Sequence, residues 1–187
     1  MTETEVDGSR LLIVDDDALM RSMACRTLSH AGFSVSEADG GAQALALFDL
    51  TRFDLVLLDV MMPDMDGYQV CHEIRRLPDG DRIPIIMLTG LNDTQSIELA
   101  YQAGATDFIA KPINWTLLTH RVRYALRASL AAESAIRSRD RLERAQRIAN
   151  MGSWEIAGDN NSFVCSPELA RLFGAPVEVM GCASPQA

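Results

Sequence analysis

LLDVMMPDMDG, residues 57–67, decides the fold. An unbroken apolar run over 55–58 stops at Asp59, and Pro63, Asp64, Asp66 and Gly67 follow within eight residues. A short apolar run without polar alternation is the signature of a strand buried on both faces, as parallel strands between helix layers are. Three more runs of this kind lie at 11–14, 85–88 and 108–110, and a weaker one at 33–36 suits an edge strand. Helical spacing fills the gaps, with Met20, Met23, Thr27 and Leu28, then Ala44, Leu45, Leu47 and Phe48, then Cys71, Ile74 and Leu77, then Ile97, Ala100, Tyr101 and Ala103. Gly32, Gly67, Gly90 and Gly104 punctuate the junctions. Strand and helix in alternation predict an α/β fold: a doubly wound, five-stranded parallel sheet with helices on both faces.

In such sheets ligands bind beyond the carboxyl ends of the strands. Those ends are unusually polar here. The first strand runs into Asp15, Asp16 and Asp17, the third into Asp59, the fourth into Thr89 and Gly90, and the fifth into Lys111 and Pro112. Carboxylates crowded in a partly desolvated pocket repel, which favours either proton uptake or a bound cation. Mg2+ suits the site because it takes hard oxygen ligands, commonly one or two carboxylates together with phosphate oxygens. Asp16 and Asp59 are placed to bind it directly and Asp15 through water. Phosphoryl transfer asks mainly for alignment and neutralised charge, which the cation, Lys111 and the Thr89 hydroxyl would supply.

The motifs LLIVDDD at 11–17, LLDVMMPDMDG at 57–67, MLTG at 87–90 and AKP at 110–112 resemble, in order and spacing, the receiver domains of two-component response regulators. The resemblance spans roughly 10–128. It implies strand order 2-1-3-4-5 and makes Asp59 the acceptor of a phosphoryl group from a sensor histidine kinase or phosphotransfer protein. It also implies that Asp15, Asp16, Asp59 and the Met61 backbone carbonyl hold Mg2+, that Thr89 and Lys111 assist catalysis, and that Thr89 and Phe108 form a switch pair. Phosphorylation adds about -1.5 to -2 charges, enough to draw Thr89 inward and let Phe108 fill the vacated space. The surface formed by 91–103, 106–109 and 114 onward would then change. A cis Lys111-Pro112 peptide belongs to the same resemblance, although an X-Pro bond is trans by default.

Composition sets limits. The chain has 187 residues, 48% hydrophobic and 23% charged, enough for one full domain and a smaller piece. A net charge of -9 argues against direct nucleic-acid binding spread over the chain, since phosphate binding needs clustered Lys and Arg. No segment reaches the roughly 18 apolar residues of a membrane span, and the first ten residues lack a signal-peptide pattern. Cys25, Cys71, Cys165 and Cys182 are scattered without metal-ligand spacing, so reduced thiols and a cytoplasmic location are expected.

Residues 1–9 are expected to be disordered and 10–127 to form the receiver domain. From 115 to about 149 the chain has neither Gly nor Pro and is rich in Ala, Arg, Leu and Glu, so one long helix or two nearly continuous ones are predicted. Leu117, Leu118 and Val122 should pack on the sheet, while 128–149 outruns it as a linker. Ala128, Ala135, Leu142 and Ala149 recur every seven residues, with Ala131, Ser138 and Ala145 between them. That seam fits a coiled-coil homodimer and a solvated linker about equally. Contact through the fourth and fifth helices is a second route to a dimer. Over 150–187, IANMGSWEI and SPELARLFG resemble the opening of a PAS sensor domain, so this part is a truncated PAS-like segment or a tail. Gly152, Trp154, Asn160 and Asn161 suggest a strand and turn, and a short helix is expected to start at Ser166. Receivers joined in this way often precede cyclic di-GMP enzymes, an output of which no residue is present.

Blander readings compete with each motif. Asp15, Asp16 and Asp17 alone would suit a solvated loop with a helix cap, but Asp59, Thr89 and Lys111 together outweigh that. Asp64, Asp66, Gly67 and Glu73 mimic part of a calcium loop, yet Met62 holds its first ligand position and a strand precedes it. His30, His72 and His120 sit at unrelated helical positions, which suits surface or capping roles. The Arg residues between 121 and 147 are interspersed with Glu133, Asp140 and Glu143, as on an ordinary solvated helix face. A phosphatase using an aspartyl-phosphate needs a second acid two residues after Asp59, where Met61 stands. A non-phosphorylated receiver acting as a dimerisation module is the remaining alternative.

Overall fold

In the computed structural model, the first ten elements alternate strand and helix. They are β1 (Arg10–Val14), α1 (Ala18–His30), β2 (Ser34–Ala38), α2 (Gly41–Leu50), β3 (Leu55–Asp59), α3 (Gly67–Arg76), β4 (Ile85–Thr89), α4 (Thr94–Gln102), β5 (Asp107–Ala110) and α5 (Trp115–Ala149). The structure describes residues 6–90, 94–157 and 162–174, and side chains throughout these except at 94–97, 155–157 and 162–164. Leu91, Asn160, Asn161, Cys182 and the final residues 175–187 lie outside the described residues.

β1 to β5 form one parallel sheet in the order β2-β1-β3-β4-β5, as the family resemblance implies. Alternate residues divide the core into two layers. Leu12, Val14, Val56, Leu58, Ile85 and Met87 face one way and pack with α2, α3 and Ala100 of α4. Leu11, Ile13, Leu55, Leu57, Ile86 and Leu88 face the other and pack with α1 and α5. Each large aliphatic side chain removed from water contributes about 1.5–3 kcal/mol. The sheet can therefore tolerate unfavourable carboxylate crowding at one edge.

The approach of α3 to the end of β3 depends on Gly67 and on the residues just before it. A Cβ on Gly67 would lie 2.2 Å from the Asp59 carbonyl oxygen and 2.8 Å from the Val60 Cα. The first turn of α3 thus abuts the end of β3 only because residue 67 has no side chain. Asp66 caps α3, accepting from the Gln69 backbone N–H at 2.8 Å, while Gln69 Oε1 accepts from the Asp66 N–H at 3.1 Å. Asp64, at φ 66°, takes the left-handed conformation that Asp tolerates better than most residues.

Several expectations need correction. Residues 6–9 are ordered, against the expectation: Val6 is buried in the α1/α5 layer, and the Gly8 N–H donates to the Gly32 carbonyl at 2.8 Å. Leu118 and Val122 pack on the sheet as expected, whereas Leu117 is exposed. The helical face turned to the sheet runs through Trp115, Leu118, Val122 and Leu126, and Leu117 lies off it. Cys25 and Cys71 are free, but Cys165 is disulfide-bonded, against the expectation of reduced thiols. Spacing along the chain does not reveal which thiols meet in space.

The chain divides into two compact units, 1–130 and 131–187. The second contains the end of α5, an antiparallel pair β6 (Trp154–Ala157) and β7 (Ser162–Cys165), and α6 (Pro167–Phe173). Ser166 caps α6 and Gly174, at φ 64°, ends it, matching the helix read from SPELARLFG.

Candidate phosphoryl and cation site

β1 and β3 are neighbours, and their carboxyl ends deliver Asp15, Asp16 and Asp59 to one place. One carboxylate oxygen from each lies within 4.8 Å of the others. Asp15 and Asp59 are buried and Asp16 is exposed. Asp17 stands apart from this group: its Oδ1 accepts from the Leu19 N–H at 2.8 Å and the Met20 N–H at 3.3 Å, which caps α1. The bland reading of the acidic triplet therefore holds for its third member alone.

Lys111 enters from the end of β5. Its Nζ lies 2.8 Å from Asp59 Oδ1 and 3.2 Å from Asp15 Oδ2. Oδ1 of Asp15 accepts from the Asp17 N–H at 2.9 Å, so both oxygens of Asp15 are engaged. Asp59 Oδ1 is buried and has no partner in hydrogen-bond geometry, so its contact with Lys111 is an ion pair rather than an aligned bond. Burial pushes the Asp59 carboxyl above its ordinary 3.8 and Asp15 adds to the rise, while Lys111 and the Val60 backbone N–H oppose it. Burial pulls the Lys111 ammonium down, but Asp59 and Asp15 together hold it above its ordinary 10.5. The two directions are compatible, because Asp59 is the more deeply buried partner and loses more hydration than one ammonium returns.

The under-satisfied Asp59 oxygen and the hard oxygen donors of three aspartates fit a small divalent cation such as Mg2+. Met61, whose backbone carbonyl the resemblance adds to this set, follows two residues after Asp59 with an exposed side chain.

Thr89 is buried at the end of β4, and its carbonyl accepts from the Lys111 N–H at 2.7 Å. The register pairs Met87 with Phe108 and Thr89 with Ala110, which puts Thr89 and Phe108 on the same sheet face two register positions apart. Phe108 is half-buried and meets Tyr101 of α4 edge-on, with ring centroids 6.1 Å apart. Lys111-Pro112 is cis. Sequence reading did not single out Arg21, whose guanidinium donates to the carbonyls of Asp15 and Asp16. Contacts to backbone leave no residue pattern to read.

The profile of the response regulator receiver domain family matches residues 11–123, well over half of the chain. Response regulator MprA of Mycobacterium bovis is 38% identical over 176 residues, covering 91% of this chain and 74% of its own. The transcriptional regulatory protein AfsQ1 of Streptomyces coelicolor is 40% identical over 119 residues, covering 64% of this chain and 51% of its own. Among solved structures, chemotaxis protein CheY4 of Vibrio cholerae superimposes with a TM-score of 0.62 at 32% identity, over 63% of this chain and 98% of CheY4. A two-component response regulator from Clostridium difficile gives 0.60 at 29% identity, over 64% and 96%. The chain belongs to the response regulator receiver domain family. It spans only 62%, 50% and 45% of the ycf27 proteins of Cyanidium caldarium, Cyanophora paradoxa and Guillardia theta.

Proposed function

We propose that the chain is a phosphorylation-controlled switch in which Asp59 accepts a phosphoryl group from a sensor histidine kinase or phosphotransfer protein. The observation that carries this reading is Lys111 Nζ, 2.8 Å from Asp59 and 3.2 Å from Asp15, at a point where three carboxylates lie within 4.8 Å. A structural ion pair needs one carboxylate. A phosphoryl site needs an acceptor oxygen, a cation to meet the incoming oxygens, and further carboxylates to hold a metal.

Asp15, Asp16, Asp59 and the Met61 carbonyl would hold Mg2+, which when bound neutralises charge on the transferring group. An Asp59 oxygen attacks phosphorus, the bond from phosphorus to the donor's imidazole nitrogen breaks, and that nitrogen takes up a proton. Lys111 meets an equatorial phosphoryl oxygen, and the Thr89 hydroxyl meets another. Hydrolysis reverses the state: water attacks phosphorus and restores the carboxylate with inorganic phosphate. Movement of Thr89 toward the phosphoryl group loosens the Phe108–Tyr101 contact and carries the change to α4.

Incubation with acetyl phosphate and Mg2+ tests this reading. The full chain is expected to gain the mass of one phosphoryl group, with none gained in EDTA or by Asp59→Asn. A gain that survives Asp59→Asn contradicts the assignment, as does no gain by the wild type. The latter would favour the non-phosphorylated interaction module.

Homodimerisation is part of the reading, and the α4–α5 face supports it better than the long helix does. Leu99 and Tyr101 of α4 and Leu117 and Tyr124 of α5 are exposed, and Arg121 of α5 pairs with Asp107 at the start of β5. Beyond it, the exposed Leu130, Ile136, Leu142 and Ile148 are six residues apart and so spread around the helix rather than forming a seam. Sedimentation velocity is expected to show more dimer after phosphorylation, and less with Tyr124→Glu. An unchanged monomer at high concentration contradicts it.

The output is transcriptional control by analogy with AfsQ1, and the comparisons lend no support to cyclic di-GMP metabolism. With a net charge of -9, this segment leaves any DNA contact to an attached output module. No helix among the described residues is long and apolar enough to cross a membrane. A cytoplasmic location and a PAS-like role for 150–187 complete the proposal.

A further inference from the structure

Asp15 and Asp16 of the β1–α1 loop present their carboxylates from a piece of backbone that the sheet barely holds. The ladder from β1 to β3 ends at Val14 and Leu58, and that to β2 at Val14 and Ala38. Beyond it only the Asp15 N–H is still tied to β2, donating to the Ala38 carbonyl at 3.3 Å. The carbonyls of Asp15 and Asp16 therefore need donors from elsewhere.

Arg21 supplies them. It sits on the first turn of α1, and its Nη1 donates to the Asp15 carbonyl at 2.8 Å and the Asp16 carbonyl at 3.3 Å. On its other edge, Nε lies 3.5 Å from Glu37 Oε2 on β2, and only 17% of the Arg21 side chain is exposed. One planar group thus ties α1, the acidic loop and β2 together. The fork geometry matters, since a guanidinium reaches two carbonyls and a carboxylate at once where an ammonium is a single point.

We propose that Arg21 is a positioning residue for cation binding: by fixing the peptide groups of Asp15 and Asp16 it holds their carboxylates at the spacing a divalent ion needs, and Glu37 holds Arg21. This rests on the reading that Asp15, Asp16 and Asp59 take Mg2+. Arg21 touches neither the cation nor the phosphoryl group, so its loss should weaken binding of the ion while leaving the chemical step nearly intact once the site is filled.

Calorimetric titration of Mg2+ into the full chain, free of phosphodonor, gives the first readout. Acetyl phosphate uptake as a function of Mg2+ concentration gives the second. Removing a group that orients metal ligands typically weakens metal affinity roughly 10–100-fold, and Arg21→Met is expected within that range. Its uptake rate at saturating Mg2+ should stay within about threefold of wild type. Arg21→Lys should recover only part of the affinity. Glu37→Gln, more exposed and so less able to disturb folding, should weaken it about two- to fivefold.

If Arg21→Met binds Mg2+ within twofold of wild type, or loses maximal rate as severely as affinity, the inference is overturned. Should Arg21→Met fail to fold, unchanged Mg2+ affinity in Glu37→Gln overturns it instead. A wild type that binds no Mg2+ overturns both this inference and the proposed function. A wild type that binds Mg2+ and takes up phosphate beside unaffected Arg21 and Glu37 variants overturns this inference alone.

Discussion

Lys111→Met is expected to lower the unfolding free energy of the metal-free protein by about 2 kcal/mol at pH 7. Removing one partner of a fully buried ion pair costs about 3–5 kcal/mol, because the other charge is left uncompensated. Two features reduce that figure here. The Lys111 side chain is 26% exposed, so water partly screens the carboxylates, and Asp15 keeps a second partner in the Asp17 N–H. Urea unfolding in EDTA checks the loss, and two controls identify its cause. Added Mg2+ should return part of the lost stability, since a cation again faces Asp15 and Asp59. The double variant Asp59→Asn, Lys111→Met should be more stable than Lys111→Met alone. The Lys111 ammonium is held above 10.5, so its contribution is complete below pH 10.5 and lost as pH rises through the native value. A deficit measured at pH 7 therefore reports the intact pair. If Lys111→Met unfolds at wild-type urea concentration in EDTA, the cation does not hold this site together.

Asp59→Asn is expected to act in the opposite direction on stability while abolishing phosphoryl uptake. In EDTA it should stabilise the protein by about 1 kcal/mol, near the low end of the cost of an unsatisfied buried acceptor. The pH dependence separates this from a packing effect. Burial raises the native Asp59 carboxyl above 3.8, so the native state binds a proton more tightly than the unfolded chain does. Stability contributed by this group is fully present below 3.8 and is lost as pH rises through the raised native value. The advantage of Asp59→Asn over wild type should accordingly grow across that window and level off above it. With Mg2+ present it should shrink, because the cation stabilises the charged form of the wild type. An advantage that is constant with pH would contradict the desolvation account. The variant that cannot be phosphorylated is thus expected to be the more stable protein without metal, as for a site organised for chemistry rather than for stability.

The strands were legible because parallel strands buried on both faces leave unbroken apolar runs, and each run stops where the chain meets the site. Asp15, Asp16, Asp59, Thr89 and Lys111 could be found for that reason: all five stand at or just beyond the carboxyl ends of strands. The long α5 was legible from composition, as was the cap at Ser166 from the residue types on either side. Three features were not. Leu117 and Leu118 are equally apolar, and only packing decides that Leu118 faces the sheet. Val6 lies in a polar stretch with no periodicity, although it is buried. Arg21 works through backbone carbonyls, which every residue carries, so no choice of residue type at Asp15 or Asp16 betrays the contact.

One particular carboxylate, Asp59, is expected to become an acyl phosphate, and the position of that group can be read chemically. Borohydride reduces an aspartyl phosphate to homoserine, which marks the modified residue for peptide mass spectrometry. After incubation with acetyl phosphate and Mg2+, homoserine is expected at position 59, in the peptide containing LLDVMMPDMDG, with Asp15 and Asp16 unmodified. Homoserine at position 15 or 16, or at no aspartate at all, would contradict the assignment.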